Sequence, residues 1–256
     1  MNSNGFGQGF SNIVGYDGFG SGFVQTNVDL ITTLSGLKLY LDSGNRMSYP
    51  GTGNTWYDIS GNQKNATLYN SPTYNSNNGG ILNFASANYQ YASGPQLGSL
   101  TTWTAEAWVK YNSTPSAGTT AIITDQYDLI GNLNFSLGTN ESLSSTVRAG
   151  FFNGAWRNTT TGLTVTTGVW YHIVGTYNGS TVTLYVNKNV TGTLNYVGTP
   201  ASGGLSYRVA RRWDAADNDS GNFTNGSIPI VRVYNRAISA SEISDNFEVE
   251  RSRFGI

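Results

Sequence analysis

The residues best suited to chemistry lie in one late stretch of the sequence, between Arg211 and Asp219. Arg211 and Arg212 stand next to Trp213, and an aromatic face beside hydrogen-bond donors suits a sugar ring or a partner protein. Oxygen ligands for a hard cation such as Ca²⁺ are offered by the three carboxylates that follow, Asp214, Asp217 and Asp219. Their spacing matches no EF-hand loop, and stretches rich in Asp and Asn also form ordinary turns. The stretch predicts a binding loop, and we expect no cofactor unless this loop holds calcium.

Two earlier segments offer similar groups. Trp156 and Arg157 lie at a predicted hairpin tip, and Asp125 lies close to Tyr127. Each tryptophan could instead pack over an edge of the fold, and the sequence favours neither alternative. The residues that we predict to contact a ligand are Asp125, Tyr127, Trp156, Arg157, Arg211, Arg212, Trp213 and Asp214.

Catalytic groups are harder to find. Retaining glycoside hydrolysis needs two carboxylates roughly 5–5.5 Å apart, which on one strand means acids two or four positions apart. Glu106 has no such partner in its strand, so we expect it to be a solvent-facing polar residue. His172 is the only histidine, which excludes a histidine cluster, and we expect it to be structural. The sequence therefore predicts a protein that is not an enzyme.

The composition indicates which elements position these residues. Charged residues make up 11% of the 256-residue chain, against roughly 25% in an average soluble domain, while aromatic residues reach 13%. This mixture, with 32 glycines, favours strands and turns over helices. The net charge of -1 leaves no basic patch for nucleic acid, and no apolar run approaches the roughly 20 residues of a membrane-spanning helix. The absence of cysteine excludes disulfides and thiolate metal sites.

A hairpin over residues 169–187 is the centre of the predicted fold. Runs of β-branched and aromatic residues flank Asn178-Gly179, the strongest short-range signal for a hairpin with a type I′ turn. Both faces of the hairpin carry large side chains, so we expect it to be covered on both sides. Further segments with strand-like alternation, such as residues 103–110, follow at the spacing typical of an antiparallel sandwich or barrel.

One helix is predicted near the C-terminus. Ser239 and Glu242 have the spacing of a capping box, in which each side chain satisfies a backbone N–H of the first turn. Ile243 and Phe247, four positions apart, give the helix one apolar stripe to lay on the sandwich. We expect the helix to cover residues 240–251.

Residues 1–35 differ from the rest of the chain. Two uncharged segments alternate glycine with phenylalanine, and their aromatic residues are Phe6, Phe10, Phe19 and Phe23. The segment could be a flexible tail, or an arm whose phenylalanines dock on a neighbouring subunit. We predict an N-terminal arm over residues 1–35 that makes the protein oligomeric or lattice-bound, followed by a single domain over residues 36–256.

Several sequence blocks, in their order, resemble the laminin G-like jelly-roll domain of the concanavalin A-like lectin/glucanase superfamily. The blocks are residues 103–110 (WTAEAWVK), 170–179 (WYHIVGTYNG), 184–187 (LYVN), 225–228 (NGSI) and 233–239 (VYNRAIS), followed by Glu242. The resemblance covers residues 36–256. It implies an all-β fold, an antiparallel jelly-roll β-sandwich of the concanavalin A-like type, here with an extended N-terminal arm and one short C-terminal helix.

The chain departs from the family pattern at acidic positions. Many relatives carry an Asp after a strand phenylalanine and an Asp-Glu pair after the late Gly-x-Ile, and such acids supply calcium ligands at the sandwich rim. Residues 84–86 here are Phe-Ala-Ser, and residues 228–230 are Ile-Pro-Ile. The Glu-x-Asp-x-x-Glu strand of the superfamily's hydrolases does not occur either. The resemblance therefore implies neither a family-type calcium site nor a glycosidase site.

The ends of the domain suggest where the protein works. Residues 39–45 (LYLDSGN) and 253–256 (RFGI) are similar to variants found in structural proteins of tailed bacteriophages. Together with the arm and the absence of a secretory signal, they predict a non-enzymatic structural protein located in the virion, as a capsid decoration or a tail or fibre component. The expected partners are other virion proteins, contacted through the arm, and glycans or a host surface, with no nucleic acid and no membrane. The alternative is a free carbohydrate-binding lectin or adhesion module, and a glycoside hydrolase is a distant third.

Overall fold

The computed structural model describes residues 33–115, 121–125, 133–139, 146–200, 206–212 and 223–256. Its elements are β1 (Leu37–Asp42), β2 (Thr55–Trp56), β3 (Ala66–Tyr69), β4 (Thr73–Asn75), β5 (Ile81–Phe84), β6 (Tyr91–Pro95), β7 (Trp103–Tyr111), β8 (Ala121–Asp125), β9 (Leu133–Thr139), β10 (Thr146–Phe152), β11 (Trp156–Asn158), β12 (Leu163–Thr164), β13 (Trp170–Tyr177), β14 (Thr181–Val186), β15 (Asn189–Asn195), β16 (Ser206–Val209), β17 (Gly226–Tyr234) and α1 (Ala240–Phe254). Two single 3₁₀ turns, Asn77–Gly79 and Ser86–Asn88, flank β5.

These strands form two antiparallel sheets. One has eight strands, in the order β15-β14-β13-β7-β17-β5-β4, with β1 also paired to β17. The other has nine strands, in the order β11-β10-β9-β8-β16-β6-β3-β2, with β12 also paired to β10. Hairpin pairs of consecutive strands alternate with pairings of strands far apart in sequence, such as β7 with β17 and β8 with β16, as in a jelly roll. The predicted all-β sandwich with one C-terminal helix is confirmed.

The core lies between the sheets and follows the alternation of the strands. In β7, Trp103, Ala105, Ala107 and Val109 point into this core, and Tyr171, Ile173 and Tyr177 do so from β13. Gly175 also lies on this face, where an added Cβ would come within 2.6 Å of the Ala149 side chain. Facing sheets therefore approach closely at the centre of the sandwich, and a larger residue there would force them apart.

The central hairpin is confirmed, but its predicted type I′ turn is wrong. Within the dipeptide only Gly179 has a positive φ, of 96°. The Asn178 side chain instead accepts hydrogen bonds from the backbone N–H groups of Ser180 and Thr181, at 2.9 and 2.8 Å. An asparagine that caps the turn in this way does not itself need the left-handed conformation. The last cross-strand pair is Tyr177 with Val182, so the connection is longer than two residues.

Helix α1 begins and packs as the sequence predicts, and it ends three residues later. Ser239 and Glu242 form both hydrogen bonds of the capping box, and Gly255 ends the helix in the left-handed conformation. The stripe containing Ile243 and Phe247 lies on the outer face of the eight-stranded sheet, where Phe247 stacks on Trp108 at 5.7 Å between ring centroids. Because of this cover β13 is buried along its whole length, whereas β14, nearer the sheet edge, is only half buried.

Two further predictions concern the N-terminal arm and membrane-spanning helices. Residues 1–32, including Phe6, Phe10, Phe19 and Phe23, lie outside the described residues, so the N-terminal arm stays a prediction. The described residues include no helix with the length and apolar character that a membrane span requires.

Candidate functional site

The outer face of the eight-stranded sheet carries a buried charge cluster, made of Glu106, His172, Arg232, Asn246 and Glu250. Arg232 donates from Nη1 to Glu106 Oε1 at 2.8 Å and from Nη2 to Glu250 Oε1. His172 Nε2 lies 2.8 Å from Glu106 Oε1, and Asn246 Nδ2 donates to Glu106 Oε2 at 3.1 Å. The cluster joins three strands to α1, since Asn246 and Glu250 lie on the helix.

The expectation that Glu106 faces solvent is wrong. Its side chain is fully buried, because α1 covers the face of β7 that alternation assigns to Glu106 and Trp108. His172 is buried as well, and its contact with Glu106 agrees with the structural role that we expected for it. Burial alone would raise the pKa of Glu106, but the Arg232 guanidinium and the hydrogen bonds from His172 and Asn246 lower that pKa to about 2.

The cluster is also the one group of three metal-ligating side chains that the described residues contain. Ligand atoms of Glu106, His172 and Glu250 all lie within 4.8 Å of one another. The guanidinium of Arg232 already bridges the two carboxylates and places its positive charge between them, which disfavours a cation there. We therefore interpret the cluster as the attachment of α1 to the sheet.

The outer face of the nine-stranded sheet is polar. Directly paired residues on this face form a row across seven strands, which we call the polar row: Asn158, Gly150, Ser136, Thr124, Arg208, Ser93 and Thr67. Their neighbours along each strand, such as Val147 and Ala149 in β10, point into the core. Six strand spacings of about 4.8 Å make the row roughly 29 Å long. No described residue of the row is a carboxylate.

The middle of the polar row is buried and its two ends are accessible. Thr124, Ser136 and Arg208 are buried, whereas Trp156, Asn158 and Thr67 are half-buried or exposed. The hydroxyl of Thr124 is buried without a hydrogen-bond partner. A buried polar atom of this kind is usually satisfied by ordered water or a ligand.

Aromatic side chains flank both ends of the polar row. At one end Tyr69 stacks on Tyr91, with 4.5 Å between centroids and 5° between planes, and Tyr69 keeps 41% of its surface exposed. The guanidinium of Arg211 lies 4.8 Å from the Tyr91 ring on this side. At the other end the guanidinium of Arg212 lies 4.8 Å from the ring of Trp156. Each end thus combines an aromatic ring with an arginine.

The Trp156 end also has a cavity. Its lining residues are Ser136, Gly138, Thr139, Arg148, Trp156 and Asn158. Arg148 donates from Nη1 to the carbonyl of Thr159 at 2.8 Å, while its Nε is buried without a partner. The cavity has a volume of about 10 Å³, which is room for about one water molecule, so a larger ligand would bind beside it, against the half-buried ring of Trp156.

The structure brings together some of the predicted ligand-contacting residues. Trp156 and Arg212, from two segments that the sequence could not connect, meet at one end of the polar row. Arg157 points to the opposite side of its strand, where its guanidinium lies 4.2 Å from the Tyr196 ring. Tyr127 and the segment with Trp213, Asp214, Asp217 and Asp219 lie outside the described residues, so these contacts and the calcium site stay predictions.

Asp125 lies inside the protein and not on a loop. It is the last residue of β8 and is 1% exposed. Its carboxylate accepts hydrogen bonds from the backbone N–H of Asn134, at 2.8 Å, and from the Asn134 side chain. Burial nevertheless raises the pKa of Asp125 to about 7. Direct ligand contact by Asp125 does not agree with this position.

Neither the Tyr69–Tyr91 stack nor Arg148 was predicted from the sequence. The available signal was strand alternation, which places Tyr69 on the same face as Thr67 and Tyr91 on the same face as Ser93. Alternation does not tell which strands are neighbours, however, and β3, β6 and β16 are adjacent only through long-range pairing.

Structural comparison supports the fold. Domain 4 of AbnA, a GH43 extracellular arabinanase from Geobacillus stearothermophilus solved with arabinotriose, has a TM-score of 0.66 at 17% identity and covers 83% of this chain and 98% of its own. Trypanosoma rangeli sialidase in complex with sialic acid gives 0.64 at 16% identity, covering 88% of this chain but 35% of the sialidase. The receptor-binding domain of botulinum neurotoxin type G gives 0.61 at 13% identity, with 84% and 51% covered. At these identities the likeness concerns the fold alone.

Sequence comparison identifies the family. A search of curated protein sequences found no match. A family model of the laminin G type, described as the concanavalin A-like lectin/glucanases superfamily, matches residues 84–244. The match contains all of β7, β13 and β17, which are the strands at the centre of the eight-stranded sheet. The chain has a lectin-like jelly-roll fold and belongs to the concanavalin A-like lectin/glucanase superfamily.

Proposed function

We propose that this domain is a non-enzymatic carbohydrate-recognition module that binds a glycan on the outer face of its nine-stranded sheet. The proposal is supported by membership of a lectin superfamily and by a similar arabinanase domain that was solved with arabinotriose. The observation that carries it is the contact of Arg212 with Trp156 beside the cavity at the end of the polar row. A sugar can lay its apolar face on the tryptophan and direct its hydroxyl groups to the arginine, serine and asparagine side chains.

The absence of hydrolysis is part of the proposal. Glycoside hydrolysis requires two carboxylates beside the sugar. The polar row has none among its described residues, and the paired carboxylates Glu106 and Glu250 lie under α1 on the opposite sheet, bridged by Arg232. Bound oligosaccharide should therefore be recovered intact.

The test is a binding measurement on Trp156→Ala. Arabinotriose and longer arabino-oligosaccharides are the first probes, and a glycan array with and without calcium extends the search. Loss of the aromatic face should weaken binding roughly three- to tenfold, since an aromatic contact contributes about 0.5–1.5 kcal/mol.

The matched control is Tyr57→Ala, which removes another aromatic ring, 44% exposed, that follows β2 at the edge of the nine-stranded sheet opposite to β11 and Trp156. Its affinity should equal that of the wild type. An array without hits under both conditions, or equal losses in the two variants, would contradict glycan recognition at this face.

A second proposal concerns the place where the module works. We propose that the protein is a structural component of a virion, as a capsid decoration or a tail or fibre part, attached through the arm at residues 1–35. The motivating observations are the alternation of glycine with phenylalanine in the arm and the phage-like blocks at residues 39–45 and 253–256. A deletion of residues 1–35 should leave glycan affinity intact and abolish attachment to particles. Electron microscopy of purified particles that shows no density for the protein would exclude this role.

A further inference from the structure

A cleft separate from the polar row opens beside the edge strands β2 and β4. We call it the side cleft. It is lined by Tyr49, Gly51, Gly53, Asn54, Leu68, Ser71, Pro72, Thr73 and Tyr74, and its volume is about 670 Å³. This volume lies within the range of roughly 300–1,000 Å³ that is typical of small-molecule sites. Because β2 and β4 are the terminal strands of the two sheets, the side cleft lies along one lateral side of the sandwich.

The floor of the side cleft is aromatic and fixed in place. Tyr49 is 3% exposed and packs at 5.5 Å and 53° against Tyr74. The Tyr49 hydroxyl donates to the carbonyl of Gly53 at 3.0 Å. The Tyr74 ring lies across two glycines, since a Cβ at Gly80 would come within 2.6 Å of its hydroxyl and one at Gly51 within 3.4 Å of its ring. Rings held in this way lose little freedom when a ligand packs on them.

The rim of the side cleft is polar. Asn54, Ser71 and Thr73 are exposed, and the exposed guanidinium of Arg46, which donates to the carbonyl of Pro50, lies against Gly51. At Gly53, which has a φ of 90°, an added Cβ would meet nothing within 4 Å, so this part of the wall is open to a ligand. Amide and hydroxyl groups both donate and accept hydrogen bonds, and they match the hydroxyl groups of a sugar.

From these features we infer that the side cleft is a second saccharide site that takes a neutral oligosaccharide. The half-buried ring of Tyr74 receives the apolar face of a sugar ring, and the amide and hydroxyl groups of the rim form hydrogen bonds with its hydroxyl groups. A peptide that adds a strand to β4 fits less well, because this edge strand has three residues and follows Pro72. The inference shares the ligand class of the proposed function, but it rests on a different surface.

The position of β3 makes the two sites independent. Tyr69 and Thr67 point outward to the polar row, whereas Leu68, between them, lines the side cleft. One strand thus separates the two surfaces. A protein with both sites would hold one glycan chain at two points, or two chains at once, and would gain avidity from the combination.

The test fills the side cleft without touching the polar row. Asn54→Trp places a large side chain at the rim, where the native side chain is exposed, and Val190→Trp is the control at an exposed position on β15. Arabinohexaose, cellohexaose and mannohexaose serve as neutral probes, and the amide resonances of Asn54, Ser71 and Thr73 report binding. We expect one of the probes to shift these resonances at millimolar concentration in the wild type and in Val190→Trp, and we expect Asn54→Trp to weaken that response about tenfold or more.

The Trp156→Ala variant distinguishes this inference from the proposed function. It should leave the response of Asn54, Ser71 and Thr73 unchanged while it weakens binding at the polar row. If no neutral probe shifts these three resonances, or if Asn54→Trp leaves the response intact, the side cleft is not a saccharide site. A response only to acidic oligosaccharides or to peptides would equally overturn the inference. Tyr74→Ala, checked for folding by its melting temperature, provides a second variant that removes the aromatic floor.

Discussion

Arg232 provides the strongest prediction about what holds the C-terminal helix on the sandwich. Its guanidinium is fully buried and is shared between Glu106 of β7 and Glu250 of α1, and it also lies 4.6 Å from the ring of Tyr40. Arg232→Met preserves much of the side-chain volume but leaves two carboxylates buried without their cation. Removing one partner of a buried ion pair typically costs about 3–5 kcal/mol. We expect the free energy of unfolding to fall by this amount at neutral pH.

The pKa of Glu106 gives an independent magnitude. Its fall from an ordinary 4.5 to about 2 corresponds to roughly 3 kcal/mol, because each tenfold change in proton affinity is worth about 1.4 kcal/mol. The folded pKa is depressed, so this stabilisation is present above pH 4.5 and is lost as the pH falls towards 2. In Arg232→Met the sign should reverse, because protonation of Glu106 then relieves an unpaired buried charge. The variant should gain stability between about pH 7 and pH 5.

Urea unfolding, followed by tryptophan fluorescence, measures these changes. Trp108 is a suitable reporter, since it stacks on Phe254 at 4.2 Å and donates from its indole Nε1 to Glu250 at 2.6 Å. The control is the triple variant Arg232→Met, Glu106→Gln, Glu250→Gln, which removes the cation together with both anions. It should recover most of the lost stability, because replacing a whole buried ion network by neutral groups is often nearly neutral. A loss below about 1 kcal/mol in Arg232→Met, or a triple variant as unstable as the single one, would refute the reasoning.

Two further variants test separate elements. Burial raises the pKa of Asp125 from 3.8 to about 7, so the stabilising contribution of its protonated form is complete below pH 3.8 and is lost as the pH rises through 7. Asp125→Asn should therefore raise the melting temperature more at about pH 8 than at about pH 5. Equal gains at both pH values would contradict this assignment. Ser239→Ala should lower the free energy of unfolding by about 1 kcal/mol, because the helix cap is lost. Ser241→Ala, in the exposed first turn, should not destabilise the protein. Urea unfolding measures both variants, and equal stabilities would show that the cap has no effect.

The sequence predicted local structure well where the signal is local. The capping box at Ser239 and Glu242 forms as predicted, because both partners lie within one turn of the chain. The alternation in β7 also assigned each side chain to its correct face. What alternation does not reveal is what covers a face, and Glu106 was placed in solvent for that reason. Glu250 carried a usable signal, since it continues the stripe of Ile243 and Phe247 that α1 buries. A carboxylate on an apolar stripe indicates a buried cationic partner.

The candidate site was less predictable, because it depends on pairing between distant segments. Trp156 is a predicted ligand contact, but its contact with Arg212, which lies three residues after the end of β16, joins segments more than 50 residues apart in the sequence. The polar row joins residues from Thr67 to Arg208, and none of its members is distinctive in sequence. The side cleft could not be predicted from the sequence, because its glycines and tyrosines also fit an ordinary loop followed by a short strand.

The arrangement of the helix explains why recognition should take place on the nine-stranded sheet. A sandwich has two outer faces, and here α1 covers β13, β7, β17 and β1 through contacts with Trp170, Trp108, Ile230 and Tyr40. A ligand on that face would first have to displace the helix, which would expose the charge cluster and forfeit the several kcal/mol that Arg232 contributes. No helix of the described residues covers the other face, and its outward side chains are hydroxyl, amide, guanidinium and aromatic groups. The helix that stabilises one sheet therefore leaves the accessible ends of the polar row on the opposite sheet, and the open side beside β2 and β4, as the surfaces where a ligand can bind at little conformational cost.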